Sequence, residues 1–204
     1  MKAAFNSAFT LLPGLAAPSP FAALHLSGFW QWSAGALVYA ILWDRLQYWF
    51  QRLQHGVPFF RRTHALHHDS EAFHCSDALR NTVGASLTQI LLIGKPLVAI
   101  GAHQLLHLTA GVLLFSIFGF YNHANIRLGH GVLAPLLTGP QFQRVHHGCG
   151  ETYQNANFAT FFPWIDMLFG TYRRPCPDDF PPTGVAGRRQ SQGARSLLSA
   201  FFGC

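Results

Sequence analysis

Apolar and polar residues fall along this chain in long blocks rather than in strict alternation, which predicts helices and no strands. Phe29 to Phe50 is the first block. Its upper part, Phe29 to Trp43, is apolar, and Phe29, Trp30, Trp32, Tyr48 and Trp49 sit at its ends as aromatics do where a bilayer meets water. That apolar part is somewhat short of the ~20 residues a spanning helix needs. The lower end turns polar on one side: Asp44, Tyr48, Gln51 and His55 fall at i, i+4, i+7 and i+11, a single helical stripe. Gly56-Val57-Pro58 breaks the helix, and Asp69 to Asn81 is polar and reads as loop. Two further apolar blocks, Val83 to Ile93 and Leu97 to Phe120, flank Gly94-Lys95-Pro96, which reads as the turn of a membrane hairpin. The returning span, Leu105 to Tyr121, delivers Asn122-His123-Ala124-Asn125 to the side it started from. Trp164 to Tyr172 reads as a short amphipathic helix ending at Gly170. Residues 1–27 form an apolar segment broken by Pro13, Pro18 and Pro20, expected as a short membrane or interfacial segment, with a signal peptide as the alternative. Residues 175–204, rich in Pro, Gly, Ser and Arg, are expected to form a flexible tail around a domain of residues 28–174. The fold class is all-α: an integral-membrane bundle of about three to four membrane helices with a histidine-rich cap on the cytoplasmic side.

The chemistry is concentrated in histidine. Arg62-Thr63-His64-Ala65-Leu66-His67-His68, read as a helix, places three imidazoles on one face. The same shape returns as Gln143-Arg144-Val145-His146-His147, with glutamine where the first histidine would stand. In the expected topology His55, His64, His67, His68, His123, His146 and His147 all lie on one side of the membrane. Neutral imidazole ligates zinc, iron and copper, and this many exceeds what one tetrahedral zinc needs. They suit two metal ions with open positions, and all-histidine ligation favours iron among redox metals, with copper and zinc as alternatives. His25, His103, His107 and His130 are read as lying outside the site.

Composition narrows the function classes. Half of the 204 residues are apolar and 11% are charged, against about 25% in a soluble domain. The formal charge of +6 does not indicate nucleic acid, because the arginines sit between apolar runs and not in a basic stripe. Arg61, Arg62 and Arg80 instead mark a positive, cytoplasmic face. Cys75, Cys149, Cys176 and Cys204 form no CxxC pair and no disulfide framework.

Taken together, these motifs resemble the fatty acid hydroxylase/sterol desaturase superfamily of histidine-rich di-iron membrane enzymes. The resemblance is carried by Tyr48-Trp49-Phe50-Gln51-Arg52-Leu53-Gln54-His55, by His64 to His68, by His123-Ala124-Asn125, by Gln143 to His147, by Asn157, and by the ending Trp164 to Tyr172. It runs in order over residues 40–174. It implies two non-haem irons, one metal or zinc being the alternatives, and O₂-dependent hydroxylation or desaturation of a lipid C–H bond. The implied metal residues are His55, His64, His67, His68, His123, His146 and His147, with Gln51 and Gln143 as weak ligands. Asp44, Asn125, Asn157 and Asp166 are expected to orient imidazole N–H groups. With no haem or flavin motif visible, a separate electron donor such as a ferredoxin or a cytochrome b5-like protein is implied. The implied location is a membrane, bacterial inner membrane or endoplasmic reticulum. Gln51 and Gln143 stand where the family has histidine, and Arg80-Asn81-Thr82 where many members have Arg-x-His. These departures are expected to weaken or empty one metal site; His74, an unassigned histidine near the first patch, is the candidate for partial compensation and is not favoured. They motivate the alternative of an impaired relative acting as a lipid-binding or scaffold protein. A zinc hydrolase ranks last, because no HExxH motif accompanies the patches.

Overall fold

The computed structural model describes residues 28–185, apart from 103–107, 151 and 177. The N-terminal apolar segment, His25, His103, His107 and most of the C-terminal tail therefore lie outside the described residues. Within them the chain is helical, and a single isolated bridge, Gly148 with Thr183, is the one β-type contact.

Helix α1, Phe29–Gly56, is the long element. It stops where the sequence predicts. Val57 is extended, as a residue before proline must be, and Pro58 opens α2, Pro58–His68, at the position where a missing N–H costs nothing. A loop with one 3-10 turn, Cys75–Leu79, leads to α3, Val83–Gln89, whose first turn is capped by the Thr82 hydroxyl. The expected turn at Gly94-Lys95-Pro96 is not a turn. Ile90–Gly94 forms a π-helical turn and α4, Lys95–Ala99, follows directly, so 83–99 is one rod. The widened turn, with the Lys95 N–H reaching back to the Ile90 carbonyl, relieves the crowding that Pro96 would impose on a regular helix. A turn follows α4 at Ile100 and Gly101, the latter with φ 69°. Helix α5, Leu108–Asn122, returns. Helices α6, Pro140–His146, and α7, Pro163–Leu168, are short.

None of the described helices is long and apolar enough to cross a membrane, which corrects the expected set of spanning helices. Three physical reasons account for it. The lower half of α1 carries Asp44, Arg45 and Arg52 and a buried polar face. The 83–99 rod is pieced from short helices. Helix α5 is apolar, and the 15 residues described for it fall short of a span.

Two apolar cores hold the helices. Tyr39, Phe50, Ile93, Leu97 and Ala102 join α1 to the rod. Tyr48, Phe142, Phe158, Ala159 and Ile165 join α1 to α6 and α7. Between these cores lies the polar stripe of α1, turned inward: Asp44, Tyr48 and Gln51 are buried and His55 is half-buried.

Candidate metal centre

Four elements deliver the histidines. His55 comes from the last turn of α1, and His64, His67 and His68 from the last turns of α2. His123 follows directly after α5. His146 ends α6 and His147 caps it. Residues far apart in the chain meet in two adjoining groups. One is His55, His64, His68 and His146; the other is His67, His123 and His147. Within each group the ligating nitrogens lie within 4.8 Å of one another. The groups touch through the ring pairs His68–His147, with centroids 4.3 Å apart, and His64–His67, 5.1 Å apart. His64 and His68 face each other Nε2 to Nε2 at 3.0 Å. His67 and His123 do so at 3.5 Å.

Burial sets the protonation of these rings. Desolvation, helped by the neighbouring imidazoles, holds His55, His64, His67, His68 and His147 well below the ordinary histidine value, and burial brings His146 down to about 4. At neutral pH the rings are uncharged, with lone pairs free to ligate. Several of those atoms have no protein partner. His55 Nε2, His64 Nδ1, His146 Nε2, His147 Nε2 and the Gln51 side-chain oxygen are buried and unbonded. Orphaned acceptors of this kind each cost about 1–3 kcal/mol, a cost that cations bound in the two groups would offset. The residues present therefore fit one metal ion in each group, with nitrogen donors suited to iron, copper or zinc.

Three rings are oriented by backbone carbonyls. The Nδ1 atoms of His67, His123 and His146 lie 3.1, 2.8 and 3.0 Å from the carbonyl oxygens of Arg80, Gly119 and Ala156. This pins Nε2 toward the group, the arrangement that fixes a ligand's tautomer. The sequence assigned that task to Asp44, Asn125, Asn157 and Asp166, and each of their bonds goes elsewhere. The Asp44 carboxylate accepts the backbone N–H groups of Thr160, Phe161 and Phe162 at 2.5, 3.0 and 2.7 Å. Asp166 accepts those of Phe158 and Ala159 and the Thr171 hydroxyl. Asn157, at φ 59°, bonds the backbone of Phe142 and Arg173. Asn125 is exposed and accepts from Arg144. A carboxylate satisfies several N–H groups at once in a segment without helix, so Asp44 and Asp166 hold the 157–162 loop rather than a ring. Burial nevertheless pushes Asp44 up to about 7 and raises Asp166, against the pull of those N–H donors.

Gln51 is buried one turn above His55, and Gln143 is buried one turn before His146 and His147. Neither group is emptied by these substitutions: four imidazoles remain in one and three in the other. His74 does not compensate. It is exposed, and its ring bonds Ser76. His130 stays outside, bonded to Tyr121.

Several contributors were not legible in the sequence. Phe158 packs on His55 and His146, with centroids 5.1 and 5.8 Å away. Phe73 covers His123 and His147 at 5.4 and 4.9 Å. Both phenyl groups are buried and keep the two groups dry. Residues 178–185, counted with the tail in the sequence, pack beside the centre. The Arg144 guanidinium lies over the Phe180 ring at 3.6 Å and donates to the Pro181 carbonyl, and Thr183 bridges to Gly148. The adjacency of Phe158 to Asn157 was the one signal available; the others carry none.

Residues 36–171 match the profile described as fatty acid hydroxylase. The chain is 30% identical over 126 residues to alkylglycerol monooxygenase of Homo sapiens, covering 61% of this chain and 27% of that protein. It is 25% identical over 158 residues to a very-long-chain aldehyde decarbonylase of Oryza sativa subsp. japonica, covering 72% and 49%. It is 24% identical over 158 residues to a Delta(7)-sterol 5(6)-desaturase of Gibberella zeae, covering 73% and 45%. The chain thus spans between a quarter and a half of the length of these relatives. No solved structure matches it. The profile match takes in α1 from its second turn, α2, α5, α6 and α7, and with them all seven converging histidines, and on that match the chain belongs to the fatty acid hydroxylase family.

Proposed function

We propose that this chain is a membrane-bound, O₂-dependent lipid oxidoreductase that holds two non-haem irons and hydroxylates or desaturates a fatty acyl or sterol-like C–H bond. One observation carries the reading: seven imidazoles meet in two adjoining groups with unbonded buried nitrogens. His55, His64, His68 and His146 would hold one ion, and His67, His123 and His147 the other, with Gln51 and Gln143 as further oxygen donors. Bound iron supplies the oxygen chemistry that an unactivated C–H bond requires, which no side chain can supply.

The chain's own residues do the rest. Backbone carbonyls of Arg80, Gly119 and Ala156 fix three rings before any ligand arrives. Such preorganisation removes an ordering cost from binding. Phe73 and Phe158 exclude water from both groups, which protects a reactive centre from side reactions. Asp44 and Asp166 hold the loop that carries Phe158 and the Ala156 carbonyl. Reducing equivalents come from a separate electron donor of the ferredoxin or cytochrome b5 type. Membrane attachment is supported by the exposed apolar side chains of α1, the rod and α5, among them Phe29, Trp30, Leu37, Leu91, Leu113 and Ile117. Arg61 and Arg62, both exposed, mark the cytoplasmic side.

Metal analysis of the purified chain, with oxygen consumption driven by a chemical reductant, tests the reading. Two irons per chain with oxygen uptake are expected. A folded chain holding one metal or none would instead mark an impaired relative, in which Gln51 and Gln143 have disarmed the centre and the fold serves lipid binding.

A further inference from the structure

Between Arg127 and Arg144 the sequence carries no Asp, Glu, Lys or Arg, and from Leu128 to Leu137 its one polar side chain is His130. The structure turns that imidazole inward. Its Nε2 accepts the Tyr121 hydroxyl at 2.5 Å, its Nδ1 lies 3.0 Å from the Leu137 carbonyl, and its ring stacks on Tyr121. The fit is close: a Cβ on Gly139 would stand 2.7 Å from the His130 Cε1, so glycine is required there. Thr138 is likewise buried, accepting from Asn122 and donating to the Thr160 carbonyl. The loop is thus nailed to the end of α5 by its polar groups.

Its apolar side chains point out. Val132 is 91% exposed, Leu136 60%, Leu133 55% and Leu137 38%. Part of the backbone beneath them is bonded from within. The N–H groups of Leu133, Ala134, Leu136 and Leu137 donate to carbonyls of residues 130, 131, 133 and 133, and that of Thr138 to Phe161. Residue 135 is proline and has no N–H. N–H groups paired in this way lower the cost of taking that part of the loop out of water. The charges lie at its base: Arg127 and Arg144 both rest over the Phe180 ring, at 4.6 and 3.6 Å.

We infer that residues 128–137 form a wedge that enters the hydrocarbon edge of a lipid bilayer, making a second membrane contact beside the exposed face of α5. The occupant is lipid, because Leu133, Leu136 and Leu137 expose apolar side chains over N–H groups already bonded within the loop, and because the loop is fastened to the end of α5, whose Leu113, Leu114 and Ile117 are also exposed. The wedge joins the segment that carries His123 to α6, so insertion would hold the metal groups at a set depth below the lipid. The inference rests on the membrane attachment proposed above, and the test separates the two.

The full chain, with its four cysteines replaced by serine, would carry one new cysteine bearing a nitrobenzoxadiazole dye: Val132→Cys, Leu136→Cys, Leu113→Cys on α5, or Gln154→Cys on an exposed loop. Each protein is reconstituted in phosphatidylcholine vesicles with or without acyl-chain bromine. The wedge predicts quenching at 132 and 136 at least about half as deep as at 113, and little at 154. Two positions guard against one variant failing to fold, which far-ultraviolet circular dichroism reports. Quenching at 113 with none at 132 and 136 overturns the wedge alone. Quenching at none of the sites overturns membrane attachment with it. Dyes at 132 and 136 shielded from both bromolipid and aqueous iodide would mean that protein covers the tip, from residues 1–27 or a second copy, and would also overturn the wedge.

Discussion

Acidification should unfold the metal-free chain steeply, and the cause is the histidine centre. His55, His64, His67, His68 and His147 are held well below the 6.5 of a free imidazole and His146 at about 4. In the unfolded chain each returns to about 6.5. Below that value the unfolded state binds protons that the folded state refuses, so stability present above pH 6.5 is lost as pH falls. At pH 5.5 an unfolded imidazole is ~90% protonated, and six of them take up roughly five protons. Asp44, pushed up to about 7, and Asp166, also raised, work the other way and return between one and two. A net uptake of roughly three to four protons remains, or ~4–5 kcal/mol per pH unit at ~1.4 kcal/mol per proton. Against a domain stability of about 5–15 kcal/mol, one to three pH units exhaust the fold. The assay is potentiometric proton uptake when the detergent-solubilised, metal-free chain is unfolded by guanidinium at pH 5.5, with ¹⁵N shifts of the histidine rings as a second readout. Uptake below one proton, or rings already charged in the folded chain at pH 5.5, would refute the assignment of these imidazoles to a dry interior.

Other changes test the supports. Asp44→Ala removes the acceptor of three backbone N–H groups and should cost about 3 kcal/mol or more, read as a lowered denaturant midpoint. Phe158→Ala takes away the wall on His55 and His146; a loss of about 3–5 kcal/mol is expected, together with ring titration nearer 6.5. Gln51→His with Gln143→His should raise metal occupancy in equilibrium dialysis, and unchanged stoichiometry and activity would mean that those positions do not face the centre. Saturating metal at 100 times its dissociation constant should stabilise the chain by about 2.7 kcal/mol, seen as a higher melting temperature that chelator reverses.

How much of this was legible beforehand depends on the range of the forces involved. The end of α1 and the start of α2 were readable because Gly56-Val57-Pro58 dictates them locally. The convergence of the histidines was readable too, since the i, i+3, i+4 spacing in 64–68 and the inward stripe of α1 are helix geometry. The Gly94-Lys95-Pro96 turn was misread because a π-turn absorbs a proline without reversing the chain, and nothing in the local composition separates the two outcomes. The roles of Asp44 and Asp166 were misread for another reason. Their partners lie on the 158–162 segment, and for Asp44 that is more than a hundred residues away in sequence; a carboxylate close to ligands in a motif is as well placed to hold a loop as to hold a ring.

The two glutamines show where motif and structure diverge most usefully. In the motif each reads as a lost ligand, and the expected result is a weakened or empty metal site. In space the remaining seven imidazoles divide four and three, so each group keeps at least the three protein ligands typical of an open catalytic site. The Gln51 oxygen is buried without a partner. An amide left so in an apolar interior is a net cost unless something meets it, and of the groups around it the cation sought by His55, one turn below, is the natural one. Gln51→Leu separates the possibilities in a single variant. If the oxygen serves a metal, the metal-free chain becomes more stable by about 1 kcal/mol while metal affinity falls. If it serves nothing, stability rises and affinity stays. Only the first result fits a centre in which glutamine has replaced histidine and remains a donor.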